Sequence, residues 1–202
     1  MTTDENTTAS TLAHLRPVLR DLAAVAGRVE ENQRGLPTPC AEYDVSALSA
    51  HIVGWLENFA GGYADPDGVC PLADVSSVSV ARQQAADRIN TAATTLDHAV
   101  QAGAAERPLV ISQQGGMPGD MALSMILGEY LVHGWDLARA TGQTWTPDDD
   151  ASEASLAFFG GMVTPEYRGN GGMFAAEVAV PEDAPAFDRL LGFAGRNPAW
   201  TA

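Results

Sequence analysis

Apolar residues recur three and four apart over most of the chain, which is the spacing of one helix face. From Ser10, the stripe Leu12, Leu15, Leu19, Leu22, Ala26 and Val29 predicts a first amphipathic helix, with Pro17 marking a kink or a later start. Residues 1–9 read as a polar flexible tail. Gly35 to Pro39 ends the pattern. Asp44 is then placed to cap a second helix with the stripe Leu48, Ile52, Trp55 and Phe59, broken by Gly61-Gly62 and then by Asp65-Pro66-Asp67-Gly68. The connection from there to about Ser76 is long for a simple helical hairpin and suggests a crossover between non-adjacent helices. Val78, Ala81, Ala85, Ile89, Ala92, Leu96 and Ala99 form the third stripe, ending near Gly103.

Leu109-Val110-Ile111 is a short β-like run, and Gly115 to Gly119 is a turn-rich loop. A fourth helix runs from about Asp120 to Thr141, with Gly142 as its stop. Its apolar residues leave no polar face, so neighbouring helices must bury it. A short helix near Ala151–Phe159, a loop with Gly169, Gly171 and Gly172, and a last helix near Ala184–Gly195 complete the reading. The expected fold is mainly all-α. A four-helix bundle over 10–142 has a short β-like segment before its fourth helix, and an extension over 143–202 packs on it.

Composition narrows the chemistry. The 202 residues carry a formal charge of −15, and all 11 basic residues are Arg. A chain without Lys has no Schiff-base or P-loop lysine. Its acidity repels nucleic acid and anionic membranes. Two cysteines, Cys40 and Cys70, make neither a disulfide framework nor a sulfur-rich zinc knuckle. The polar, acidic N-terminus and the lack of a long apolar run point to a cytoplasmic protein, monomer or homodimer, acting on a small molecule.

On the fourth helix, Glu129 and His133 are four apart and share a face. An unpartnered carboxylate in an apolar bundle costs several kcal/mol, so Glu129 needs a partner, and a divalent cation is one. His51 lies at the edge of the second helix's stripe, whereas His14 and His98 fall off theirs. His51, Glu129 and His133 together would make a His₂–Glu site with open coordination positions, the composition of a catalytic zinc site. The same residues also suit a plain hydrogen-bonded pair and a core histidine. Asp136, three beyond His133, either orients a ligand imidazole or caps backbone. Arg139 and Arg168 are candidates for holding a substrate carboxylate, beside a plain surface role. Cys40 reads as a small packed residue.

Three stretches carry a resemblance to a known family: Thr38 to Val45 running into Ala50 to Gly54, Gly128 to Gly142 with its His133-Gly134-Trp135-Asp136 core, and Val178 to Pro185. They resemble the DinB/YfiT-like superfamily, in its mycothiol-dependent maleylpyruvate isomerase-like branch, and the tail resembles its short metal-binding members. The resemblance implies a DinB/YfiT-like bundle holding a divalent metal through His51, Glu129 and His133. Zinc heads the list, and nickel, iron and cobalt accept the same donors. It also implies mycothiol as cosubstrate, and an isomerase or S-transferase type of reaction in which a low-molecular-weight thiol attacks a small electrophile. A hydrolase using metal-bound water and a non-catalytic binding protein are the alternatives. The family usually carries Trp where Tyr43 stands, a change expected to alter packing and not the ligands. The residues after Gly142 look too short and too different to be the isomerase's C-terminal domain.

Overall fold

The computed structural model describes residues 3–71, 78–112, 115–169 and 174–201. Four long helices carry the fold: α1 (Thr3–Gly27), α2 (Val45–Ala64), α3 (Ala85–Gln101) and α4 (Gly119–Ala140). A two-stranded antiparallel hairpin, β1 (Leu109–Ser112) and β2 (Gly115–Met117), precedes α4. Two shorter helices follow, α5 (Asp149–Met162) and α6 (Ala186–Phe193).

The predicted stripes are the buried faces. Leu15, Leu22, Leu48, Ile52, Ile89 and Leu96 are at most 1% exposed and meet in one core. α1 packs on α3 and α4, and α2 packs on α3 and, more sparsely, on α4. The helices therefore ring the core in the order α1, α3, α2, α4, with α2 and α4 the least closely packed neighbours. α4 is buried on almost every side, as its apolar circumference requires.

The structure corrects several boundaries. Residues 3–9, expected as a tail, belong to α1, and residues 1–2 lie outside the described residues. Pro17 sits inside α1 and does not mark a later start, since the helix begins at Thr3 and its buried stripe runs on through Val18, Leu19 and Leu22. α2 runs through Gly61-Gly62 and ends at Ala64, at the predicted break that starts with Asp65. A methyl on Gly62 would come 2.6 Å from the Cys70 sulfur and 2.8 Å from Leu109, so this glycine serves close packing inside the helix. The long connection after α2 is not the crossover, since α2 and α3 are neighbours. The diagonal steps run from α1 to α2 and from α3 to α4. Gly115 to Met117, read as loop, pairs with β1. The predicted connection end at Ser76 and the loop residues Gly171 and Gly172 lie outside the described residues.

After Gly142 the chain folds back over α4. Trp145 lies over Gly134 and donates its indole N–H to the Leu131 carbonyl at 3.1 Å, and Phe159 lies over Gly128. α6 then packs on α5 and leads the chain back toward the bundle. Among the described residues, no helix is long and apolar enough to cross a membrane.

Candidate metal centre

Two helices and the segment before α2 build the site. The Asp44 carboxylate accepts from the Ala47 backbone N–H at 2.7 Å and starts α2, whose second turn carries His51. The segment from Thr38 to Tyr43 is pinned against the helix start. The buried Thr38 hydroxyl lies 2.9 Å from the Cys40 carbonyl and 2.8 Å from that of Tyr43. Across the α2–α4 seam, α4 offers Glu129 and His133 from successive turns of one face.

These three predicted residues are brought together. His51 Nε2 donates to Glu129 Oε1 at 3.0 Å, and His133 Nε2 lies 3.4 Å from the same oxygen. The two imidazole rings are 5.0 Å apart and nearly perpendicular. One nitrogen from each histidine and one Glu129 oxygen all lie within 4.8 Å of one another. A tetrahedral zinc with ligands at about 2.1 Å separates neighbouring donors by about 3.4 Å, so the two measured edges fit such an ion. The Glu129 side chain keeps 32% of its exposure and His51 18%, which leaves one side of the trio open to solvent.

Behind His133 runs a chain of polar contacts. Its Nδ1 donates to Asp136 Oδ2 at 2.9 Å, and Asp136 is fully buried. Arg196, just beyond α6, donates from Nη2 to the same oxygen at 3.0 Å and from Nη1 to the Ala194 carbonyl at 2.9 Å. Cys40 joins His133 and Asp136 in a second group of close donor atoms. The Arg196 guanidinium on Asp136 opposes a cation there, so the His51–Glu129–His133 group is the better metal site. Burial pushes the Cys40 thiol up, which keeps it protonated at neutral pH.

The electrostatics match this arrangement. Burial works against an ionised Glu129, but His133, His51 and Arg196 outweigh it and hold the carboxyl at about 2. Burial also opposes a charged His133, yet Glu129 and the hydrogen-bonded Asp136 raise it above the usual imidazole value.

Not every sequence expectation lands here. Arg139 donates to the Trp200 carbonyl at 2.7 Å, and Arg168 pairs with Glu177 at 2.9 Å while lying over the Phe193 ring. Both are engaged in holding the C-terminal segment, not presented to the trio. The arginine that reaches the site is Arg196, which no spacing in the sequence pointed to. Tyr43 was expected to affect packing alone, but its hydroxyl is 3.1 Å from His51 Nδ1 and so touches the ligand set. The short distance along the chain from Tyr43 to the α2 cap at Asp44 was the available signal.

The family model described as the mycothiol maleylpyruvate isomerase N-terminal domain matches residues 15–138, from the middle of α1 to the last turn of α4. The chain belongs to this family. It is also 32% identical over 176 residues to uncharacterized proteins from two strains of Mycobacterium tuberculosis, covering 87% of this chain and 91% of theirs. No solved structure matches it significantly. The family match spans the candidate ligands His51, Glu129 and His133 and stops short of Arg196.

Proposed function

We propose that this chain is a divalent-metal-dependent enzyme of the mycothiol-dependent isomerase or S-transferase type, with His51, Glu129 and His133 as the protein ligands and zinc as the metal. A low-molecular-weight thiol, with mycothiol as the first choice, occupies the open side and attacks a small electrophilic substrate. The observation that carries this reading is the meeting of two imidazoles and one carboxylate across the sparse α2–α4 seam, with one side left open.

A divalent cation held there lowers the pKa of a bound thiol, so that the nucleophilic thiolate is present at neutral pH. The chain's own residues prepare this. Asp136 accepts the His133 Nδ1 proton and leaves Nε2 free to ligate. Arg196 neutralises the buried Asp136 and fixes its orientation. Glu129 stays ionised across the physiological range and supplies one negative charge to the cation. Substrate enters from the side on which Glu129 and His51 are exposed.

The test is spectroscopic. Cobalt-loaded protein titrated with mycothiol is expected to develop a thiolate-to-cobalt charge-transfer absorption that His133→Ala abolishes. Absence of that absorption, together with turnover of ester or amide substrates without thiol, would replace the thiol reading with hydrolysis. A cation that admits no exogenous ligand would leave a binding protein.

A further inference from the structure

The two histidines of the trio differ in what stands behind them. His133 Nδ1 faces Asp136, a carboxylate that can only accept. A proton is therefore fixed on Nδ1 in either charge state of the ring, and Nε2 is the atom that faces Glu129. His51 is the reverse. Its Nε2 lies at hydrogen-bond distance, 3.0 Å, from the same Glu129 oxygen, so here Nε2 carries the proton. Nδ1 is then an acceptor, and the Tyr43 hydroxyl at 3.1 Å donates to it.

A cation at the trio demands the other tautomer. Nε2 must give its lone pair to the metal, and the ring proton moves to Nδ1, which now needs an acceptor in the place where a donor stood. A tyrosine hydroxyl meets both demands by rotating its proton, since it is both donor and acceptor. A backbone carbonyl accepts only, and an indole N–H donates only. Tyr43 is also held firmly. Its N–H donates to the Cys40 carbonyl at 3.0 Å, its carbonyl lies 2.8 Å from the Thr38 hydroxyl, and its ring sits 4.9 Å from that of His51.

We propose that Tyr43 is a positioning residue that keeps the His51 ring in one orientation in both states, donating to Nδ1 when the site is empty and accepting from Nδ1–H when a divalent cation is bound. The proposal rests on the reading of His51 as a metal ligand given above. It assigns to this residue an adaptive role that the fixed carboxylate behind His133 does not have.

Two measurements test it. Tyr43→Phe keeps the ring and removes only the hydroxyl. Its Zn²⁺ affinity, read by competition with a chromophoric chelator, is expected to fall about 10- to 100-fold, the usual effect of losing a partner behind a ligand imidazole. In wild-type protein at pH 8, ¹⁵N spectra of the His51 ring are expected to report Nε2–H without Zn²⁺ and Nδ1–H with it. Equal affinities, or one and the same His51 tautomer in both states, overturns the proposal. Should Tyr43→Phe fail to fold, the wild-type spectra decide alone. If wild-type protein binds no Zn²⁺, the metal reading and this proposal fall together. If it binds and Tyr43→Phe binds equally well, only this proposal falls.

Discussion

Glu129 Oε1 receives two imidazoles, and the charges around it fix how the site responds to pH. With its carboxyl held at about 2, Glu129 is ready for a cation at any pH above that value. The group that must lose a proton is His133. His133 is raised above the usual value, so protons and metal compete for it near neutral pH. Zn²⁺ affinity is therefore expected to fall by about tenfold per pH unit for each linked proton as pH drops below the raised His133 value, and calorimetry in buffers of different ionisation enthalpy should register proton release on loading. An affinity unchanged between pH 8 and pH 5 would contradict this. For the metal-free protein the two shifts have opposite signs. The depressed Glu129 value adds stability above pH 4.5 that is lost as pH falls toward 2, and the raised His133 value adds stability below pH 6.5 that is lost as pH rises through it. The grouping of His51, Glu129 and His133 was legible in the sequence, since helix spacing turns them toward one core, while their reading as a ligand set came from the family resemblance and not from spacing. Tyr43 was half legible, since its nearness to the α2 start is plain while the direction of its hydroxyl is set by the fold of residues 38–43. Arg196 was not legible. It lies 60 residues from Asp136 on a segment with no periodic signal, and only the return of the chain over α4 brings the two together.

Elements are held at the right separation by glycines whose roles the sequence leaves ambiguous. Gly128 and Gly134 adjoin the candidate ligands Glu129 and His133 on α4, and each admits an aromatic ring from the following segment, Phe159 and Trp145 respectively. A methyl at either position falls well inside van der Waals contact. Alanine favours a helix over glycine by up to about 1 kcal/mol, while overpacking a core costs about 1–3 kcal/mol, so the clash wins. Gly134→Ala is expected to lower Tm by several degrees in thermal denaturation. Gly160 on α5 meets nothing within 4 Å of an added methyl and is exposed, so Gly160→Ala is expected to stabilise by about 0.5–1 kcal/mol. Equal effects of the two substitutions would contradict the packing account. The same ambiguity explains why Gly61-Gly62 reads as a break although α2 runs through it. A glycine pair signals either a helix end or a close approach, and the approach of Cys70 and Leu109 that decides the matter is a tertiary fact. Stripe periodicity, by contrast, located all four bundle helices, because each must bury one face and the spacing of that face is fixed by the helix itself.

Across the whole molecule, the C-terminal segment ties the bundle to its site. Asp136 is fully buried, and Arg196 is the cation that pairs with it. Removing one partner of a buried ion pair costs about 3–5 kcal/mol, because the other charge is left uncompensated. Arg196→Ala is therefore expected to destabilise the protein by about that amount in chemical denaturation and to weaken Zn²⁺ binding as His133 loses its fixed orientation. A variant as stable as wild type, with unchanged metal affinity, would mean that the segment merely covers the bundle. The central claim is that one divalent ion is held by His51, Glu129 and His133 with a position left for a thiol. X-ray absorption at the zinc edge of the loaded protein tests it most directly. The account predicts a first shell of nitrogen and oxygen at about 2.0–2.2 Å without sulfur, and one sulfur at about 2.3 Å appearing when mycothiol is added. A protein that binds no zinc, or a sulfur ligand already present before thiol is added, would contradict it.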